Sequence, residues 1–198
     1  MPPTPPLHRA LTDPSTPPLR PLPAPVVALL VDLAAPPRLA AHLRAVHDVA
    51  CELTAWVRLR YPQAAFDGAA VEFGAAVHDV GKVVHPAELS GPGSEHEPAG
   101  RELLLARGVE PALARFAGTH ASWAADGIGL EDLLVSLADK VWKGQRVADL
   151  ERLVVDRLAA AGGQEPWEAF LALDDALDRI AADADGRLAF QGSFPITG

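Results

Sequence analysis

A single cysteine, Cys51, occurs among the 198 residues. No disulfide framework can form within the chain, and a zinc site built on several thiolates is excluded. Lysine is nearly as scarce, with three residues against 14 arginines. Long apolar runs are missing too. The best candidate, Val26 to Leu33, is short and contains Asp32, whereas a membrane-spanning helix takes about 20 apolar residues. No apolar segment follows the start, so no secretory leader is expected. Positive charge is in deficit, with a formal net charge of −9. That balance opposes binding of long nucleic acid, which depends on neutralising many phosphates. It does not oppose a small anionic substrate held by a few local cations. No repeat of solenoid length is visible, and no convincing stretch alternates as a half-buried strand would. The expectation is a cytoplasmic protein with no membrane partner and an open oligomeric state.

What is present is a core and a helical rhythm. Apolar residues make up 49% of the chain, enough for one packed domain. Ten of the 19 prolines lie between Pro2 and Pro25. Proline fixes φ and lacks an N–H, so residues 1–25 are expected to form a flexible, polyproline-like tail. Residues 26–190 would form the domain and 191–198 a C-terminal tail. From Pro36 onward, Leu39, Leu43, Val46, Ala50, Leu53 and Val57 recur at steps of four and three, one face of a helix that Pro62 ends. Asp67 is placed as the N-cap of the next helix, with Phe66 and Val71 as a staple, and Gly81 stops it. Ser94 and Glu97 have capping-box spacing for another, which ends at Gly108. Pro111 suits the first position of a further helix. Leu130 to Trp142 is apolar almost all round, the mark of a central buried helix. Amphipathic helices follow to Leu158 and from Trp167 to about Ala184. The fold class is therefore an all-α bundle.

Chemistry concentrates around histidine. His78-Asp79 sits at the end of an apolar helix, where the macrodipole favours a cation. Asp139 lies within Leu137-Ala138-Asp139-Lys140, and a carboxylate inside an apolar helix needs a compensating positive charge. His42 and His47 flank the apolar stripe of the 36–61 helix from opposite sides, and periodicity does not choose between them.

The order His47, His78-Asp79, Asp139 resembles the H…HD…D signature of the HD-domain superfamily, an all-α fold of metal-dependent phosphohydrolases. Val77-His78-Asp79-Val80-Gly81-Lys82 is similar to its HDxGK block, and Ala138-Asp139-Lys140 to its ADK block. The resemblance covers roughly residues 38–145. It picks His47 over His42, because His47-Asp48-Val49-Ala50-Cys51 is the closer match to the family's opening stretch. His96 and His120 occupy places where some HD subfamilies supply ligands to a second metal. The resemblance thus implies one or two divalent ions (Mn, Mg, Fe, Ni or Zn) held by His47, His78, Asp79, His96, His120 and Asp139, with Asp79 bridging.

Lys82, Lys140 and Lys143 are all the lysines of the chain, and each lies within four residues of a proposed ligand. A compact ammonium suits a phosphate oxygen. Lys82 is the candidate for stabilising transition-state charge, beside Asp79 as the catalytic pair, and all three lysines are candidates for substrate binding. Trp123 follows His120 by three and Trp142 follows Asp139 by three, placing each indole beside a ligand. Both are candidate pocket walls. The function implied is hydrolysis of a nucleotide or other small phosphate ester by a metal-activated water. The alternative is an HD-type diiron oxygenase resembling inositol oxygenase, which uses the same ligand set. A third possibility, a non-catalytic ligand-sensing HD module, would be marked by missing ligands, and none is missing.

Overall fold

The computed structural model describes residues 5–197, and among them every regular element is helical. Helix α3, Pro37–Arg60, is the axis of the fold. Helices α4 (Gly68–Val77), α8 (Leu130–Val141), α10 (Pro166–Ala181) and α11 (Ala184–Gly192) all pack against it. The stripe from Leu39 to Val57 is fully buried. Burial extends all round the helix from Leu39 to Ala50, taking in His42, Arg44, His47 and Asp48. A one-sided stripe understates this, because something covers the second face.

That cover is the proline-rich segment, and here the expectation of a flexible tail is corrected for residues 5–25; residues 1–4 lie outside the described part. Helix α1, Pro5–Thr12, packs Leu7, Ala10 and Leu11 on α3. Pro5 and Pro6 occupy its first turn, where a missing N–H costs nothing. Leu19 and Leu22 are buried along the extended stretch that follows, and α2, Ala24–Asp32, buries Val26 and Leu30. Each buried leucine or valine contributes about 1.5–3 kcal/mol relative to exposure. The C-terminal tail is corrected likewise. Phe194 is buried, and the backbone N–H of Arg38 donates to Pro195 O at 3.1 Å.

Arg44 binds the covering segment down. Its guanidinium donates to the carbonyl oxygens of Ala10 (3.4 Å), Asp13 (2.8 Å), Leu19 (3.0 Å) and Arg20 (3.2 Å). Asp48, one turn on, accepts from the backbone N–H and the guanidinium of Arg20 at 3.1 and 2.7 Å. Carbonyls that bend away from regular structure thereby find a buried donor.

The remaining helices hold the loops of the site. Asp67 caps α4 as its sequence position implies, accepting from Ala70 N–H at 3.1 Å. Short 3₁₀ turns at Val80–Val83 and Pro86–Leu89 lead to α5, His96–Ala106. Ser94 does not cap α5. The carboxylate of Glu88 accepts from the N–H groups of Glu95 and His96 instead. Pro111 opens α6, Pro111–Ala114, which runs on into α7, Phe116–Thr119. The buried carboxylate of Asp132 in α8 takes Arg115 Nε and Thr119 Oγ1, so α7 is tied to α8. Helix α9, Ala148–Gly162, ends at a left-handed Gly163 and packs on α10.

Replacing Arg44 with methionine keeps the stem's volume and strands the carbonyls it satisfied. Arg44→Met is expected to cost about 2–4 kcal/mol in chemical denaturation, and to open residues 13–20 to limited proteolysis while the helical circular dichroism persists.

Candidate metal centre

Two helix ends supply the first ligands by the same device. His78 follows the last residue of α4, and His120 follows the last residue of α7. The final carbonyls of a helix lack intrahelical partners, and each ring takes one of them. His78 Nδ1 lies 2.9 Å from Ala75 O, and His120 Nδ1 lies 3.2 Å from Ala117 O. A carbonyl only accepts, so Nδ1 carries the proton in both and Nε2 points inward with its lone pair. His96 is held in the same sense by a side chain, with Nδ1 2.5 Å from Glu88 Oε2. Metal-binding histidines depend on such partners to fix the tautomer and aim the ring.

The inward nitrogens and two carboxylates converge. His42, His78 and Asp139 form one group of donors, and Asp79, His96 and His120 form another, with the atoms of each group within 4.8 Å of one another. Asp79 faces both. Its Oδ1 lies 3.0 Å from His96 Nε2 and 3.5 Å from His120 Nε2, and its Oδ2 lies 3.1 Å from His42 Nε2 and 3.6 Å from His78 Nε2. Asp139 Oδ1 lies 3.3 Å from His78 Nε2 and 3.8 Å from His42 Nε2. All six side chains are buried.

This packing suits a cation. His42 Nε2 and His78 Nε2 face each other at 3.3 Å, a hydrogen bond when one of them carries a proton and a meeting of two lone pairs, which a cation relieves, when neither does. His96 Nε2 and His42 Nδ1 are buried without a hydrogen-bond partner; His96 Nε2 is near Asp79 but off the line of a hydrogen bond. Electrostatics make the same demand. Burial opposes charge on His78, yet Asp79 and Asp139 outweigh it and hold its pKa above the usual value. Burial pushes His42 down and takes His120 to about 4. Against burial, His78, His42 and His96 hold Asp79 well below the carboxylate range, and His78 does the same for Asp139. Imidazole nitrogens mixed with carboxylate oxygens suit first-row divalent metals.

His47 stands outside both groups, and His42 takes the place expected of it. The His47 ring lies against Cys51 Sγ at 3.4 Å, and burial pushes its pKa to about 4. It is a neutral core histidine. The two positions are five residues apart, about 140° around a helix, so only one can face the centre. A usable signal is that Val46 stands four residues after His42 where Cys51 stands four after His47. Glu88 had no signal at all, since nothing in its spacing links it to His96.

Five of the donors, all but the fully buried His78, floor a cleft of about 450 Å³ whose walls include Lys82, Lys140, Lys143 and Trp142. Lys82 Nζ donates to Asp79 Oδ2 at 2.5 Å, and Lys140 Nζ to Asp139 Oδ2 at 2.7 Å. Lys143 is exposed at the rim. Trp142 is buried edge-on to His42, ring centroids 4.9 Å apart, and braces that ring. Trp123 is not among the lining residues; it stands behind Lys140, whose Nζ is 5.7 Å from its ring centroid.

Gly81 lets the two groups meet. A Cβ there would collide with the carbonyl of His96 and the N–H of Gly100, so only glycine allows the turn after Asp79 to lie on the first turn of α5.

A family model described as HD domain matches residues 39–142. The match contains all six donors and ends at Trp142, leaving α1, α2, α9, α10 and α11 outside. No curated protein and no solved structure matches the chain. With more than half of its length matched, and with the paired His78-Asp79 at the centre of the donor cluster, the chain belongs to the HD-domain family.

Proposed function

We propose that the protein is a metal-dependent phosphohydrolase that transfers the phosphoryl group of a small phosphate ester to water. Most of the HD superfamily consists of metal-dependent hydrolases. The observation that carries the reading here is that every lysine of an acidic chain lines the one cleft floored by the donors.

Divalent ions held by His42, His78 and Asp139, and by Asp79, His96 and His120, would supply Lewis acidity to a phosphoryl oxygen and acidify an attacking water. The protein's own groups do the rest. A transferring phosphoryl group spreads negative charge over its equatorial oxygens. Lys82 and Lys140 hold their ammonium groups at the cleft, anchored on Asp79 and Asp139, so little reorganisation is needed when that charge develops. Lys143 is exposed and free to meet a second anionic group or to draw the ester in. Glu88 holds His96 Nδ1 and so keeps Nε2 turned toward the donor group.

Protein purified without chelator and supplied with Mn²⁺ is expected to release phosphate from a panel of phosphate esters under anaerobic conditions. Turnover that requires both iron and oxygen would replace this assignment with the oxygenase chemistry.

His42→Ala is expected to lose bound metal and to lower kcat/KM by about 10²-fold or more. His47→Ala should keep both metal and rate while losing about 1–2 kcal/mol of stability. Metal analysis beside a denaturant titration distinguishes them, and the reverse pattern would return the ligand role to His47.

Gly81→Ala should separate α5 from Asp79. The expected result is loss of metal from the Asp79, His96 and His120 group with the other group still loaded, read as stoichiometry by elemental analysis. Full occupancy of both groups in a folded variant would contradict the close approach.

A further inference from the structure

One wall of the cleft lies outside the family match. Leu188 and Gln191 of α11 line the cleft together with the lysines, well beyond residue 142 where the match ends. Arg187, Phe190 and Phe194 form the strip by which α11 and its end are buried. Leu188 and Gln191 fall on the strip beside it. Leu188 keeps 40% of its surface exposed. Side-chain hydrogen bonds of α11 and its C-cap come from Arg187 and Ser193, and Gln191 makes none. The rim of a cationic, donor-rich cleft thus presents one free amide and one bare leucine.

This wall is fixed to the helix that carries a ligand. Arg38 of α3 donates from Nε to Phe194 O at 2.9 Å, and Arg44 of α3 places its guanidinium 5.4 Å from the Phe190 ring centroid. His42 lies between them on the same helix. From outside, the covering segment closes on α11, since a Cβ on Gly186 would collide with Thr16 O. The distance from the donors to Leu188 and Gln191 is therefore set by rigid elements, as positioning of a substrate requires. The cleft's volume, about 450 Å³, is in the range of small-molecule sites, about 300–1,000 Å³. It leaves room for an organic group beyond the phosphate.

Resting on the phosphohydrolase reading, we propose that Leu188 and Gln191 determine substrate specificity. They receive the organic part of the ester and favour one that carries an apolar face beside a hydrogen-bonding edge. Leu188 covers the face. The Gln191 amide offers one acceptor and two donors to the edge. An ester without that edge forgoes the hydrogen bonds of the amide and is held less tightly.

The test uses the full chain with Mn²⁺ and compares glycerol phosphate, phenyl phosphate and nucleoside monophosphates, with inorganic phosphate as competitor. Wild-type protein is expected to prefer esters with ring-bearing organic groups. Leu188→Ala and Gln191→Ala should each lower kcat/KM for the preferred ester tenfold or more, mainly by raising KM. Both should narrow its advantage over glycerol phosphate. Bound manganese and the inhibition constant of inorganic phosphate should stay within twofold of wild type. Both side chains face the cleft rather than the core, and circular dichroism checks that the variants fold. If both folded variants keep the wild-type ranking of esters, the specificity role is overturned and the phosphohydrolase reading stands. If the wild type shows no preference among the esters, the outcome is the same. If the wild type releases phosphate from none of them, both proposals fall.

Discussion

The ring of a neutral histidine offers one lone pair, and whatever lies behind the ring decides where it points. That choice is made three times around this cleft. His78 and His120 each stand at the end of a helix and take a carbonyl from three residues back, while His96 takes Glu88. The first two partners come with helix termination itself, because the last turn of any helix has carbonyls to spare. Where α4 and α7 stop therefore matters more to the chemistry than how stable either is. A helix extended by one turn at either place would consume the carbonyl and release the ring.

Bringing two such helix ends together needs close backbone contact. Asp79 has an oxygen for each donor group only because the turn that follows it sits on the first turn of α5, with Gly81 against the His96 carbonyl. The first group is mounted on α3, α4 and α8, the packed center of the molecule. The second is mounted on α5 and the end of α7, where Thr119 is tied to α8 through Asp132. Asp79 faces both, but α5 carries a donor of the second group alone, so a shift of α5 relative to α4 acts first on that group.

Much of this was legible in the sequence. The apolar stripe of α3, the cap at Asp67, the start at Pro111 and the buried character of α8 follow from local rules and appear as expected. Two short blocks around His78 and Asp139 identified the family. The failures share a cause, which is dependence on contacts remote in sequence. His47-Asp48 imitates a ligand pair, but Asp48 is engaged by Arg20 from the N-terminal segment. That same segment buries the face of α3 on which a solvated residue would otherwise sit. Proline content read as flexibility, yet Leu7, Ala10 and Leu11 had the spacing of a buried helical face. Glu88 reaches His96, and Leu188 and Gln191 reach the cleft, from a turn and a helix whose position no periodicity encodes.

The scarcity of lysine takes its meaning from the way two of the three, Lys82 and Lys140, touch a carboxylate. Arginine does the structural work elsewhere: Arg44 gathers four carbonyls, and Arg115 engages both oxygens of Asp132. A guanidinium fork of that kind occupies both oxygens of a carboxylate. At the donor cluster that would be self-defeating, since it would leave no oxygen to face the imidazoles. Lys82 instead contacts Oδ2 of Asp79, and Oδ1 remains turned to His96 and His120. Lys140 contacts Oδ2 of Asp139, and Oδ1 remains turned to His78 and His42. An ammonium supplies positive charge through a single point of contact. Cationic side chains can then stand beside metal donors without competing for all of their oxygens.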